Sequence, residues 1–159
     1  MRLQLYNYGK RVLQRCCHSQ ASEQKLKVLF FGTDDFSVPT LKALHTECQK
    51  INGCISAVES CCIPMKSLTS PVKKACDELS IKIHYWPPPL EVCQKFDLGV
   101  VSSFGYLIPS KIINSFPKGI LNVHGSLLPK YRGAAPIPFA ILNGDKTTGI
   151  TIMEVKPFQ

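Results

Sequence analysis

Short apolar runs alternate with helical segments along most of this chain, and that alternation limits its fold more than any other feature. Residues 27–31 (KVLFF) hold a short apolar run closed by Gly32, the pattern of a buried strand. Thr33 or Asp34 can cap a following helix, with Val38, Leu41, Ala43 and Leu44 as its inward positions. Residues 51–58 read as a second strand, 59–70 as a loop, and Pro71 opens a helix to about Leu79. A third strand spans 81–85 and stops at Pro87, Pro88 and Pro89. Residues 97–102 give a fourth strand, 109–115 a short helix, 119–124 a fifth strand, 136–142 a helix, and 148–155 a sixth strand. Strands separated by helices need crossover connections, so the sheet is expected to be mostly parallel, doubly wound and Rossmann-like, with helices on both faces. Functional residues in such sheets lie beyond the carboxyl ends of the strands, here after Phe31, Ser102 and His124.

Charge and cysteine usage narrow the class. The net charge is +8, from 19 basic and 11 acidic residues. Arg2, Lys10, Arg11, Arg15, Lys25 and Lys27 against Glu23 account for most of that excess. The rest of the chain has no dense basic run of the kind that lines a nucleic-acid groove. Residues 1–24 are basic and poor in acids, carry hydroxyl residues, and can place Leu3, Leu5, Val12 and Leu13 along one side of a helix. That reads as a transit segment for the mitochondrial matrix, with a disordered basic arm as the alternative. No apolar run reaches the ~18 residues of a membrane span. The 8 cysteines contain no C-x-x-C pair, so reduced thiols are expected and no metal. Neither G-x-G-x-x-G nor G-x-x-x-x-G-K-[ST] occurs, which argues against NAD or a nucleoside triphosphate as cofactor.

The chemistry gathers after the fifth strand. Asn122 and His124 are two apart on it, so strand alternation gives them one face. A carboxamide donor and an imidazole can address one developing oxyanion, and histidine exchanges protons near neutral pH. A plainer reading stands beside this: a histidine satisfied by a backbone carbonyl and an asparagine capping a strand end.

The surrounding residues carry more. The run Leu121-Asn-Val-His-Gly-Ser-Leu-Leu-Pro-Lys-Tyr-Arg-Gly-Ala-Ala-Pro-Ile137 resembles the folate-dependent formyltransferases, in particular the branch that formylates initiator methionyl-tRNA. The resemblance extends to VLFFGTDDF (28–36), SPVK (70–73), VSSFGYLIP (101–109) and TGITIM (148–153). It implies an α/β catalytic domain over 25–159 that uses 10-formyltetrahydrofolate as formyl donor. The family's catalytic asparagine and histidine match Asn122 and His124. Its folate-contacting loop matches Ser126, Leu127, Leu128 and Pro129, and its pterin-pocket wall matches Phe104, Gly105, Tyr106, Leu107 and Ile108. Plain packing accounts as well for Phe104 and Tyr106 taken singly, and loop shaping for Arg132.

Three departures are expected to matter. The family's catalytic Asp falls beyond Gln159, and Asp77, Asp97 and Asp145 stand in the wrong motif contexts to replace it. The family's C-terminal tRNA-binding barrel is absent, leaving the domain incomplete at its C-terminus. The 59–70 loop is short and has only Lys66 as a basic residue. The resemblance therefore implies a monomer off the membrane, with folate as co-substrate and tRNA binding weakened or lost. Within this domain type, a 10-formyltetrahydrofolate hydrolase, a sugar-amine formyltransferase or a non-catalytic folate-binding remnant are the alternatives.

Overall fold

A computed structural model describes residues 24–63 and 70–157. The expected transit segment up to residue 23, and Lys66, lie outside the described residues. Among the described residues six strands run in the order β3-β2-β1-β4-β5-β6: β1 Leu26–Gly32, β2 Ile55–Cys62, β3 Ile83–Tyr85, β4 Leu98–Ser102, β5 Ile120–His124 and β6 Thr151–Val155. The ladders β1–β2, β1–β4, β2–β3 and β4–β5 are all parallel. Connections leave β1 in both directions along the sheet, so right-handed crossovers place their helices on opposite faces. Two compact units are distinguished, one of residues 24–122 with 154–157 and one of residues 123–153.

The first unit is organised around β1. Val28, Leu29, Phe30 and Phe31 are fully buried, as an apolar run between two parallel neighbours requires. Phe31 meets Phe104, Phe116 and Trp86 edge-on, with ring centroids 5.5, 6.2 and 6.3 Å away. Leu29, Cys61, Phe96, Ile112 and Ile120 complete that apolar layer. Helix α1 (Val38–Gln49) starts later than the sequence suggests. Its cap position is Ser37, and the Asp34 carboxylate instead accepts from the Ser37 backbone N–H at 3.2 Å. Leu41 is buried and Val38 and Leu44 half-buried, as expected, but Ala43 faces solvent.

Strand β2 lies four residues further on than the expected 51–58, because the chain first has to turn back from α1. Lys50 N–H donates to Glu47 O at 3.3 Å, and Gly53 N–H to Lys50 O at 3.1 Å. Any Cβ at Gly53 would sit 2.1 Å from the Glu47 carbonyl, so only glycine fits that turn. Ile51 is consequently 92% exposed. Residues 59–62, expected in a loop, instead complete the strand, with Ser60, Cys61 and Cys62 buried. Helix α2 (Pro71–Glu78) begins as anticipated, with the Ser70 hydroxyl accepting from Lys73 N–H at 3.1 Å. A one-turn helix, α3 (Leu90–Cys93), follows the prolines where the sequence predicts none; Pro89 sits at its cap position. Helix α4 (Ser110–Ile113) buries Ile112 and Ile113. Gly99 lets β4 approach β5, since a Cβ there would lie 2.8 Å from Ile120.

The second unit holds helix α5 (Pro136–Leu142), which matches its expected range, together with the loops between β5 and β6. Residues 148–150, expected in the sixth strand, precede it. No helix among the described residues is long and apolar enough to cross a membrane.

Candidate active site

The turning point of the sheet lies beyond the carboxyl ends of β1 and β4, and side chains tie the two loops there together. Thr33 Oγ1 donates to Phe104 O at 2.9 Å, Ser37 Oγ donates to Ser102 O at 2.5 Å, and the Ser103 hydroxyl donates to the Asp34 carboxylate. Asp34 is thus engaged in holding loops. Ser102 Oγ is buried and makes no hydrogen bond among the described residues.

The 104–108 segment splits between core and surface. Phe104 and Ile108 are buried, with Phe104 against Phe31 and 5.0 Å from the Trp86 ring centroid. Tyr106 is 53% and Leu107 78% exposed. Gly105 has a φ of 84° and open space where a Cβ would be. Ser103 also holds a positive φ, 44°, so this loop leaves β4 through two left-handed residues in three.

Asn122 and His124 both fall on β5, and both are half-buried. Among the described residues no hydrogen bond occupies the Asn122 carboxamide. His124 Nε2 lies 2.9 Å from the Tyr131 backbone oxygen. A carbonyl oxygen only accepts, so Nε2 carries a proton and donates. In the neutral ring the lone pair is therefore on Nδ1, which has no protein partner among the described residues. The plainer reading of His124 is correct for one ring nitrogen and leaves the other available.

The loop after β5 is folded by its own polar groups. Ser126 is fully buried and donates through Oγ to Lys130 O at 2.6 Å. Thr151 Oγ1 donates to Ser126 O at 2.8 Å and accepts from Leu128 N–H at 3.1 Å. Leu127 and Leu128 are half-buried, Pro129 is exposed, and the Leu128–Pro129 peptide is cis. Arg132 faces solvent.

Sequence reasoning does not single out Tyr131, yet it is central to this loop. Its φ is 53°. Its hydroxyl donates to Asp145 Oδ2 at 2.9 Å and accepts from Asn143 Nδ2 at 3.1 Å. Its ring stacks on Phe139, with centroids 6.5 Å apart and planes within 11°. Lys130 Nζ reaches both Asp145 oxygens, at 2.9 and 3.1 Å. Lys130 first and Tyr131 second hold the Asp145 carboxyl below the usual carboxylate range. Asp145 thus has a structural task in this loop. The motif hints at Tyr131 by containing it, but nothing in the sequence points to Asp145 or Asn143 as its partners. Among the described residues no three metal-ligating side chains come together.

The sequence model of the family described as Formyl transferase matches residues 25–157. The mitochondrial methionyl-tRNA formyltransferase of Rattus norvegicus is 43% identical over 133 residues, covering 82% of this chain and 34% of the relative. The methionyl-tRNA formyltransferase of Afipia carboxidovorans is 37% identical over 139 residues, covering 82% of this chain and 44% of the relative. The chain thus spans between a third and a half of the length of these relatives. Among solved structures, glycinamide ribonucleotide transformylase 1 from Symbiobacterium toebii superposes with a TM-score of 0.64 at 19% identity, over 87% of this chain and 69% of that one. A 4-N formyltransferase from Francisella tularensis gives a TM-score of 0.59 at 26% identity, over 84% of this chain and 52% of that one.

Proposed function

The chain belongs to the formyl transferase family, and from that premise we propose that it carries the formyl-transfer chemistry of a mitochondrial methionyl-tRNA formyltransferase. The α-amine of methionine esterified to initiator tRNA attacks the formyl carbon of 10-formyltetrahydrofolate. The carbonyl π bond opens to a tetrahedral oxyanion. That intermediate collapses with loss of tetrahydrofolate, and the proton released by the amine ends on the folate nitrogen. Asn122 donates its carboxamide N–H to the oxyanion, and His124 accepts the amine proton at Nδ1 and returns it to the leaving nitrogen. The observation that carries this reading is the pair itself: two residues of β5 with a carboxamide and an Nδ1 that no group among the described residues claims.

The folate side rests on residues 104–108 and 126–129, whose motifs match the family's folate-contacting segments. The acceptor rests on the names of the relatives. Delivery to the mitochondrial matrix rests on the basic segment 1–24 and on the mitochondrial relatives. The balance of charge outside that segment favours folate over tRNA as the tighter partner, because phosphate contacts supply much of the affinity for nucleic acid.

The test is formyl transfer from 10-formyltetrahydrofolate to methionyl-tRNA by this chain, its Asn122→Ala variant and its His124→Ala variant. Removal of one oxyanion donor is expected to lower kcat by about 10²–10³, and loss of the proton-transfer group by about 10²–10⁴. Turnover unchanged in both variants, with the fold intact, sinks the assignment. Titrations with a 10-formyltetrahydrofolate analogue and with initiator tRNA, at low and near-physiological salt, test the order of affinities.

A further inference from the structure

We propose that Tyr131 is a positioning residue for His124: its backbone carbonyl holds the ring through Nε2–H, and the side-chain network around Asp145 keeps that carbonyl in place. The proposal rests on the assignment of His124 as the proton-handling group, and it names what decides which nitrogen does that work.

Tyr131 has a φ of 53°, a region that tyrosine seldom adopts because its Cβ crowds the adjoining carbonyl. Such a residue stays there only when its surroundings hold it. Four contacts do so here. The phenol donates to Asp145 at 2.9 Å and accepts from Asn143 at 3.1 Å. The ring is stacked on Phe139, and Lys130 Nζ lies 5.5 Å from its centroid. Lys130 also closes on Asp145 at 2.9 Å, which fixes the carboxylate that receives the phenol. A residue held at both ring and backbone presents its carbonyl in one direction, and that carbonyl is the acceptor 2.9 Å from His124 Nε2.

Donor and acceptor roles then decide what the imidazole can do. With Nε2–H committed to a carbonyl, the neutral ring has one basic nitrogen, Nδ1, and the imidazolium has one N–H left to offer, also at Nδ1. Both directions of proton transfer then pass through a single atom whose orientation is fixed. A ring free to rotate would present either nitrogen. The cost of losing such control is large: in serine proteases, replacing the aspartate that orients the catalytic histidine lowers kcat by about 10⁴.

The experiment reads the imidazole directly, without needing turnover. The whole 159-residue chain is prepared with ring-¹⁵N histidine, and the His124→Gln spectrum identifies the His124 signals among those of His18, His45 and His84. Wild type is expected to show a resolved, slowly exchanging ring N–H at Nε2 and, in the neutral form of the ring, an unprotonated Nδ1. Tyr131→Ala and Asp145→Ala are expected to lose that resolved N–H while keeping a dispersed amide spectrum. Tyr131→Trp is expected to keep it, because an indole can still stack on Phe139 and donate to Asp145. A neutral ring in wild type with its proton on Nδ1 and none on Nε2 overturns the proposal. So does an unchanged Nε2–H signal in the two alanine variants. If Tyr131→Ala does not fold, Asp145→Ala decides alone. A chain that shows the expected ring signals but transfers no formyl group leaves this inference standing and removes the functional one.

Discussion

Residues 24–122 and residues 123–153 are held by different forces. The first unit is built on apolar burial, with Val28, Leu29, Phe30 and Phe31 fully enclosed and the Phe31, Phe104, Phe116 and Trp86 rings meeting edge-on. In the second unit the buried side chains are small or polar, among them Ser126, Ala140 and Thr148, while Phe139, Ile141 and Leu142 face outward. What fixes its loop is a set of directed hydrogen bonds through Ser126, Thr151, Tyr131 and Asp145. Apolar burial has no direction and sets how firmly the sheet holds. Hydrogen bonds have direction, and they set where a carbonyl or an imidazole points. A scaffold can rely on the first, whereas a loop beside reactive groups needs the second.

Phe31→Ala is the sharpest way to break this contrast. Removing a fully buried ring with three aromatic neighbours is expected to cost about 3–5 kcal/mol, read as a lowered urea midpoint. A cost under about 1 kcal/mol would show that the sheet does not depend on that cluster. Thr151→Val is the corresponding change in the loop. Valine keeps the shape but deprives Ser126 O of its donor and Leu128 N–H of its acceptor. The expected loss is about 2 kcal/mol, with amide exchange accelerated at residues 126–131. Exchange unchanged there would mean that the loop is held by something other than Thr151. Ser70→Ala, which removes the cap of α2, serves as an intermediate control worth about 1 kcal/mol.

The same contrast explains what the sequence disclosed. Burial leaves a periodic signature, so β1, α5, the Ser70–Pro71 start of α2 and the parallel architecture could be read from residue pattern. The start of β2 could not, because Gly53 absorbs the return from α1 and the apolar Ile51 goes to the surface instead. Helix α3 was hidden behind prolines that read as a stop. The shared placement of Asn122 and His124 on β5 was legible because the apolar run around them reads as a strand. The partners of Tyr131 were not, since Asp145 lies 14 and Asn143 12 positions away, in turns that carry no period. Its left-handed backbone could not be foreseen either, because tyrosine is a residue type that rarely signals it.

The smallest expected effect is a pH dependence, and it sharpens the polar side of the comparison. Lys130, and then the Tyr131 phenol, hold the Asp145 carboxyl below its usual range. The folded state therefore binds that proton more weakly than the unfolded chain does. By linkage, the contribution of Asp145 to stability is complete above the unfolded carboxylate value and is lost as pH falls through the lower, folded one. Asp145→Asn keeps the size and an acceptor for the phenol but removes the charge that Lys130 meets. The variant is expected to be less stable than wild type at neutral pH, and the two are expected to converge as acid protonates Asp145 in the wild-type chain. Urea unfolding of both proteins at neutral pH and at steps down through the carboxylate range reads the gap. Taking the difference cancels the other carboxylates, which titrate alike in the two chains. A gap that stays constant to acid pH would mean that the carboxylate charge contributes nothing here, and that neutral hydrogen bonds and ring stacking alone hold Tyr131.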